Sequence, residues 1–348
     1  MYDLHIFFCF VLDCRLYYDN YADTSNDQKN KLEITRGINM KQRKSTQKTI
    51  LYIKKTWTLY LMLALPVAFA LVFRYLPMTN IAMAFKDYNM FKGVWASEWS
   101  DPVFKWFQKA FQTKDFWTAL RNTLLLNGLD LIFGFPLPIM LALLLNELAF
   151  KRYKKFTQTV VYLPHFLSWI IISGIAKQLL APRTGVVNVL LGKAGVGPIN
   201  FLMENGLYVA TYIALGLWKE MGWNTIIYLA AITGINPELY EAAEVDGASR
   251  IRKIWHITLP GIRSTIVVLL IMNMGRILGS EFDRPFAMQN DLVMKFADVL
   301  STYVYRVGIR GSQFSLTAAI GLFQSLVCVV FLLLANSIAK RFGERGIW

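Results

Sequence analysis

Apolar runs of membrane-crossing length alternate along this chain with short polar segments. A helix rises about 1.5 Å per residue, so about 20 apolar residues cross the hydrocarbon core of a bilayer. Residues 57–73, 120–145, 156–180, 207–232, 262–278 and 314–339 form such runs. The pattern predicts an all-α integral membrane protein of about six transmembrane helices. Pro66, Pro164 and the group Gly134, Pro136 and Pro138 lie inside these runs. Such residues bend a membrane helix rather than end it, because neighbouring groups satisfy the freed backbone.

The polar segments suggest an orientation. Lys41, Arg43, Lys44, Lys48, Lys54 and Lys55 precede the first run, and Lys151, Arg152, Lys154 and Lys155 follow the second. Arg250, Arg252, Lys253 and Arg263 separate the fourth from the fifth, and Lys340, Arg341 and Arg345 follow the sixth. Basic residues collect in short cytoplasmic loops, so both termini are expected on the cytoplasmic side of a bacterial plasma membrane. The other segments mix both charge signs and are expected outside. One of them, MAFKDYNMFKGVWASEWSDPVFKWFQKAFQTKDFW, is dense in aromatic residues and reads as an external loop with an interfacial helix.

Residues 1–39 break the pattern. Their apolar patch IFFCFVL is too short to span and lacks the basic lead-in of a signal peptide. The expected plan is a non-native or disordered leader over 1–39, with translation beginning at Met40, then a basic cytoplasmic amino terminus over 40–56. A six-helix transmembrane domain follows over 57–340, and a cytoplasmic tail over 341–348.

Composition narrows the function classes. Apolar residues make up 55% of the chain and charged ones 17%, which favours a membrane protein over a soluble one. The net charge of +14 raises nucleic-acid binding, but that needs Lys and Arg clustered on a soluble domain, and here they sit between apolar runs. Cys9, Cys14 and Cys328 give no disulfide framework, and His5, His165 and His256 do not pair with one another or with Cys at ligand spacing. No metal site is expected. The phosphate-cradling pattern G-x4-GK-[ST] is absent, so the chain is not expected to hydrolyse ATP or to be an enzyme.

Between the fourth and fifth runs stands EAAEVDGASRIRKIWHITLP, residues 241–260. It carries Glu241, Glu244, Asp246, Arg250, Arg252, Lys253 and His256, too much charge for hydrocarbon. Asn236 is placed to cap a helix that has Pro237 at its first position. Gly247 offers a break, and Ser249 caps a second short helix ending at Pro260. Ala242, Ala243 and Ala248 allow close approach to the backbone, and Leu239, Tyr240, Ile254 and Trp255 supply apolar anchors.

Glu241, Ala242, Ala243, Gly247, Ile257, Leu259 and Pro260 match the pattern EAA-x3-G-x9-I-x-LP. Chance agreement at these positions is on the order of 10⁻⁷ per start site. The stretch resembles the EAA loop of permease subunits of binding-protein-dependent type I ABC importers. FRYLPM, IAMAFKDYNMFKGV, FWTALRNTLLL and the terminal RGIW further resemble the polysaccharide or lipo-oligosaccharide class within the carbohydrate group. The likeness covers essentially everything from Met40 onward, with Ile254 where such loops commonly carry Phe.

The resemblance implies the type I permease fold and import of oligosaccharides, the breakdown products of polysaccharides, by alternating access. It implies a second homologous permease, two ATPase subunits that hold ATP and Mg, and an external substrate-binding lipoprotein as partners. Glu241, Ala242, Ala243, Asp246, Gly247, Ala248, Ile257, Leu259 and Pro260 would then couple the channel to the ATPases.

The runs flanking this loop would line the pathway. Glu220, Trp223, Asn224, Asn273 and Arg276 are the candidate substrate contacts, because sugars take an aromatic face together with amide or carboxylate partners. The bland alternative is an interhelical Glu220–Arg276 pair with Trp223 as packing, and Lys177 is open to the same two readings, a pathway group or a side chain that only snorkels outward. The competing function is an ion-gradient-driven secondary transporter, which needs intramembrane carboxylates and broken helices. A membrane enzyme is the third reading, and no nucleophile and base stand together to support it.

Overall fold

Helices form wherever the sequence is apolar for long enough. The computed structural model describes residues 55–347 apart from 149, 280 and 345, so the expected leader and nearly all of the basic amino terminus lie outside the described residues. The chain divides into two units, residues 1–77 and 78–348. In the first, helix α1 (Trp57–Ala70) carries Pro66 and buries none of its side chains.

The second unit is a helical bundle. After a loop that turns at 90–92 and is closed by an antiparallel bridge between Lys86 and Trp99 comes the short amphipathic α2 (Lys105–Gln112), the helix expected in the aromatic segment. Next are α3 (Lys114–Gly134) and α4 (Pro136–Glu147), which form one long run despite the break at Phe135. Pro136 starts α4 at its first turn, where a missing N–H costs nothing. Then follow α5 (Lys151–Tyr162), α6 (Trp169–Leu179), α7 (Asn205–Thr233) and α8 (Pro237–Val245). The chain continues through α9 (Arg250–Gly261), α10 (Arg263–Met274), α11 (Asp283–Met288), α12 (Leu300–Val304) and α13 (Phe314–Arg341).

Two expected spans are bent. The third is no single helix: the chain turns by 99° between α5 and α6. Pro164 sits in a tight turn over Leu163–Phe166, and Ser168 restarts the helix by accepting the Ile171 N–H at 3.3 Å. At Ile262 the chain bends by 59° between α9 and α10. Three described runs are long and apolar enough to cross a membrane, residues 57–85, 114–147 and 314–341, or up to five if each bent pair is one span. The 29-residue α7 is long enough, but Lys219, Glu220 and Asn224 leave it insufficiently apolar.

Three buried clusters hold the second unit together. Phe116, Leu278, Leu300, Tyr303 and Ile320 join α3 to α12 and α13. Tyr208, Tyr212, Met288 and Val299 join α7 to the 283–299 segment. Ala142, Tyr228, Ile232 and Ile262 tie α4 and α7 to the bend beyond α9. Lipid tails are as apolar as these side chains, so close packing and buried polar bonds, rather than escape from water, bind such helices together.

Candidate functional site: an exposed loop and a polar cavity

The loop folds as helix, elbow, helix. Asn236 Oδ1 accepts the Glu238 N–H at 3.1 Å, and Pro237 opens α8. At the other end of α8, the Ala248 N–H reaches Ala243 O at 2.8 Å and the Gly247 N–H reaches Glu244 O at 3.0 Å. This paired closure needs a left-handed residue, and Gly247 supplies it with φ +70°. Ser249 Oγ then caps α9 by accepting the Arg252 N–H at 3.4 Å.

The two arms are pinned to each other. Tyr240 Oη lies 3.0 Å from the buried Thr258 Oγ1, and Lys253 Nζ lies 3.8 Å from Glu244 Oε2. Glu241, Ala242, Asp246, Gly247 and Pro260 are exposed, while Ala243, Ala248, Ile257 and Leu259 are half-buried. Of the expected anchors, Leu239 and Trp255 stand in the open and Tyr240 and Ile254 are partly covered. Sequence reasoning missed Val245, which is 90% exposed, and Ile251, also exposed. Their signal was an apolar side chain directly beside the glycine elbow and its cap.

A second polar feature lies between α3, α4, α7 and α10. A cavity of 260 Å³ is lined by Asn127, Asp130, Glu220, Asn224, Asn273, Arg276 and Arg284 among others. Glu220, Asn224, Asn273 and Arg276 therefore share one cavity. Trp223 does not line it: its ring stacks on His165 at 4.3 Å with an interplanar angle of 4°.

Each carboxylate on the wall has an internal partner. Arg284 holds Asp130 through two bonds, Nη1 to Oδ2 at 2.6 Å and Nη2 to Oδ1 at 3.2 Å. The same guanidinium donates to Tyr212 O at 2.6 Å and lies 3.7 Å from the centre of the Tyr212 ring. Gly216 leaves the space for it, since any β-carbon there would collide with the guanidinium. Glu220 Oε2 pairs with His165 Nδ1 at 3.0 Å, and Oε1 with Lys219 Nζ at 3.3 Å. Lys219 is buried and also donates to His165 O at 2.6 Å.

The alternative Glu220–Arg276 pair therefore does not form, because His165 and Lys219 are nearer to Glu220. Nor does Lys177 snorkel freely, for its Nζ donates to Ala287 O of α11 at 2.9 Å. Asp130, His165 and Arg284 escaped the sequence reading. Asp130 was legible as a lone acid in the apolar run NGLDLIFG, whereas Arg284 lay in a segment read as an external loop.

Residues 134–344 match the family described as the binding-protein-dependent transport system inner membrane component. The chain belongs to that family. The match spans α4 through α13, so it includes both the exposed loop and most of the cavity wall. The permease is 45% identical over 290 residues to the polygalacturonan/rhamnogalacturonan transport system permease protein YteP of Bacillus subtilis (strain 168), covering 83% of this chain and 90% of that one. Protein LplB of the same organism is 44% identical over 296 residues, covering 85% of this chain and 92% of the relative.

Among solved structures, a bacterial alginate ABC transporter in complex with an alginate pentasaccharide-bound periplasmic protein superposes on the permease with a TM-score of 0.77. The identity is 42%, over 85% of this chain and 98% of that chain. A second structure, of a bacterial ABC transporter involved in the import of the acidic polysaccharide alginate, gives 0.75 at 42% identity over 83% and 97%. The type I permease fold is thus established for this chain, as is its place among multi-pass membrane transport subunits.

Proposed function

We propose that this permease forms half of the channel of an ATP-driven importer of oligosaccharides. The observation that carries the reading is the loop. In a protein of this family it presents Glu241, Val245, Ile251 and Trp255 outward on a helical elbow, with nothing among the described residues covering them. Charged groups around a small apolar centre suit a protein partner. That partner is a pair of ATPase subunits carrying ATP and Mg, and Glu241, Ala242, Ala243, Asp246, Gly247, Ala248, Ile257, Leu259 and Pro260 form the joint.

Nucleotide-driven closure of the ATPases shifts α8 and α9, and the attached α7 and α10 rock between inward-open and outward-open states. Substrate passes Glu220, Asn224, Asn273 and Arg276, while Trp223 supports the wall through His165. A second permease completes the channel, an external binding lipoprotein delivers the sugar, and both termini lie in the cytoplasm. The polysaccharide transport functions of the relatives support the sugar class.

Glu241→Lys and Gly247→Pro test the joint. Proline fixes φ near −65° and removes the N–H that Gly247 donates to Glu244, so the elbow opens. Both variants are expected to reach the membrane in normal amounts yet lose at least about ten-fold in uptake and in substrate-stimulated ATP hydrolysis. Normal transport by both would rule the joint out.

A further inference from the structure

The charges around the cavity are not evenly satisfied. Its wall carries two carboxylates, Asp130 and Glu220, and two guanidinium groups, Arg276 and Arg284. Asp130 is taken by Arg284, and Glu220 by His165 and Lys219. The nearby Glu281 is off the wall and accepts from Trp169 Nε1 at 3.0 Å. Arg276 remains: its side chain is exposed to the cavity and has no hydrogen-bond or ion-pair partner among the described residues. Beside it, Asn273 Nδ2 is occupied by Leu269 O at 2.9 Å, and Asn127 Nδ2 by Ile277 O at 2.8 Å.

A guanidinium offers five N–H donors in a planar fork and cannot be discharged. At membrane depth such a group is costly unless it meets water or an anion. Both carboxylates that this chain places on the wall are already engaged, so an acceptor carried in by the substrate fits the free guanidinium. A neutral sugar brings only hydroxyls, whereas a uronic acid brings a carboxylate that accepts two parallel bonds from one guanidinium. We propose that Arg276 reads the carboxylate of an anionic oligosaccharide, a chain of uronic acids, as it passes through the cavity.

The assignment rests on the import reading above and deepens it. It agrees with the likeness to the polygalacturonan/rhamnogalacturonan permease and to the transporter of the acidic polysaccharide alginate. The cavity is slightly below the range of about 300–1,000 Å³ typical of small-molecule sites, so the chain is sensed over a short stretch at a time. Arg276 is therefore a specificity-determining residue, and Arg284, locked to Asp130, is part of the wall.

The test uses the assembled transporter, with its second permease and ATPases, in lipid nanodiscs. Trigalacturonate and trimannuronate are the acidic probes, and their carboxyl-reduced trisaccharides are the neutral controls. Binding is read by saturation-transfer NMR, and uptake of the same sugars is measured in cells carrying the whole system. We expect at least one acidic probe to bind roughly ten-fold or more tightly than its neutral control. Arg276→Gln should remove that preference, bringing the acidic probe down to the level of its neutral control, while Arg276→Lys keeps part of it.

Equal binding of acid and neutral sugar by the wild type, or an acid preference that survives Arg276→Gln, overturns the assignment. So does a variant that loses both sugars alike, which would mark Arg276 as merely structural. Import of the neutral trisaccharides as fast as the acids would overturn the assignment and leave the import reading standing. Uptake of none of the four probes would overturn both.

Discussion

Asp87 shows how one side chain organises the aromatic segment between the first two apolar runs. Lys105 Nζ approaches its carboxylate at 2.9 Å, Ser100 Oγ donates at 2.8 Å and Trp106 Nε1 at 2.9 Å. The Lys105 bond leads in holding this carboxyl below the usual range, ahead of Ser100 and Trp106 and against the cost of partial burial. A depressed acid stabilises the fold fully above its unfolded value, about 3.9, and that contribution fades as pH falls through the folded value. Because Asp87 and Lys105 are both about two-fifths exposed, the effect is screened and local. The emission of Trp106, isolated as the difference from a Trp106→Phe protein, should be steady from pH 7 to 5 and change only below about 4. Asp87→Asn should abolish that acid transition, and an unchanged transition would exclude Asp87 as its origin.

The Asp130–Arg284 pair raises the stakes at the same scale. Removing one member strands a buried charge, so Asp130→Ala should lower the stability of the detergent-purified complex by about 3–5 kcal/mol. The double change Asp130→Leu with Arg284→Met should recover much of the melting temperature, because an apolar pair of similar volume needs no solvation. A double variant as unstable as the single would show that packing, not charge, sets the loss.

Among the elements, the elbow between α8 and α9 makes the sharpest demand on its sequence. A β-carbon on Gly247 would meet nothing within 4 Å, so the glycine is required by its backbone angle alone. Gly247→Ala should then cost about 1–2 kcal/mol locally, seen as a roughly ten-fold or greater rise in amide exchange at Ala248. Gly247→Asn should cost less, since Asn tolerates the left-handed region. Equal exchange in all three proteins would mean that the elbow is held from elsewhere.

This element was almost fully legible beforehand. Asn236, Pro237, Gly247 and Ser249 act on their own neighbours through backbone bonds that spacing specifies. The cavity was legible only in part. Glu220, Asn224, Asn273 and Arg276 announced themselves as polar side chains in apolar runs, but their partners lie far away in sequence. His165 is 55 residues from Glu220, and Arg284 is 154 from Asp130. No local rule could choose His165 over Arg276 as the mate of Glu220. Only the 99° turn after Pro164 sets its carbonyl and ring beside α7.

At the scale of the molecule, the cavity lies along the middle of α7 and the far end of α10, and the loop joins the near ends of both helices. α7 carries Glu220 and Asn224 on the cavity and ends just before Asn236, while α10 starts beyond the bend at Ile262 and carries Asn273 and Arg276 at and past its far end. At about 1.5 Å per residue, Asn224 stands about 18 Å from Asn236, and Asn273 about 15 Å from Arg263. These lengths give the buried Ile232–Ile262 contact the character of a fulcrum. A tilt of about 10° about that point swings an arm of about 15 Å through roughly 2.5 Å at the cavity, close to the thickness of a water layer. A movement no larger than a side-chain rearrangement at the elbow would thus suffice to open or seal the wall around a single sugar ring.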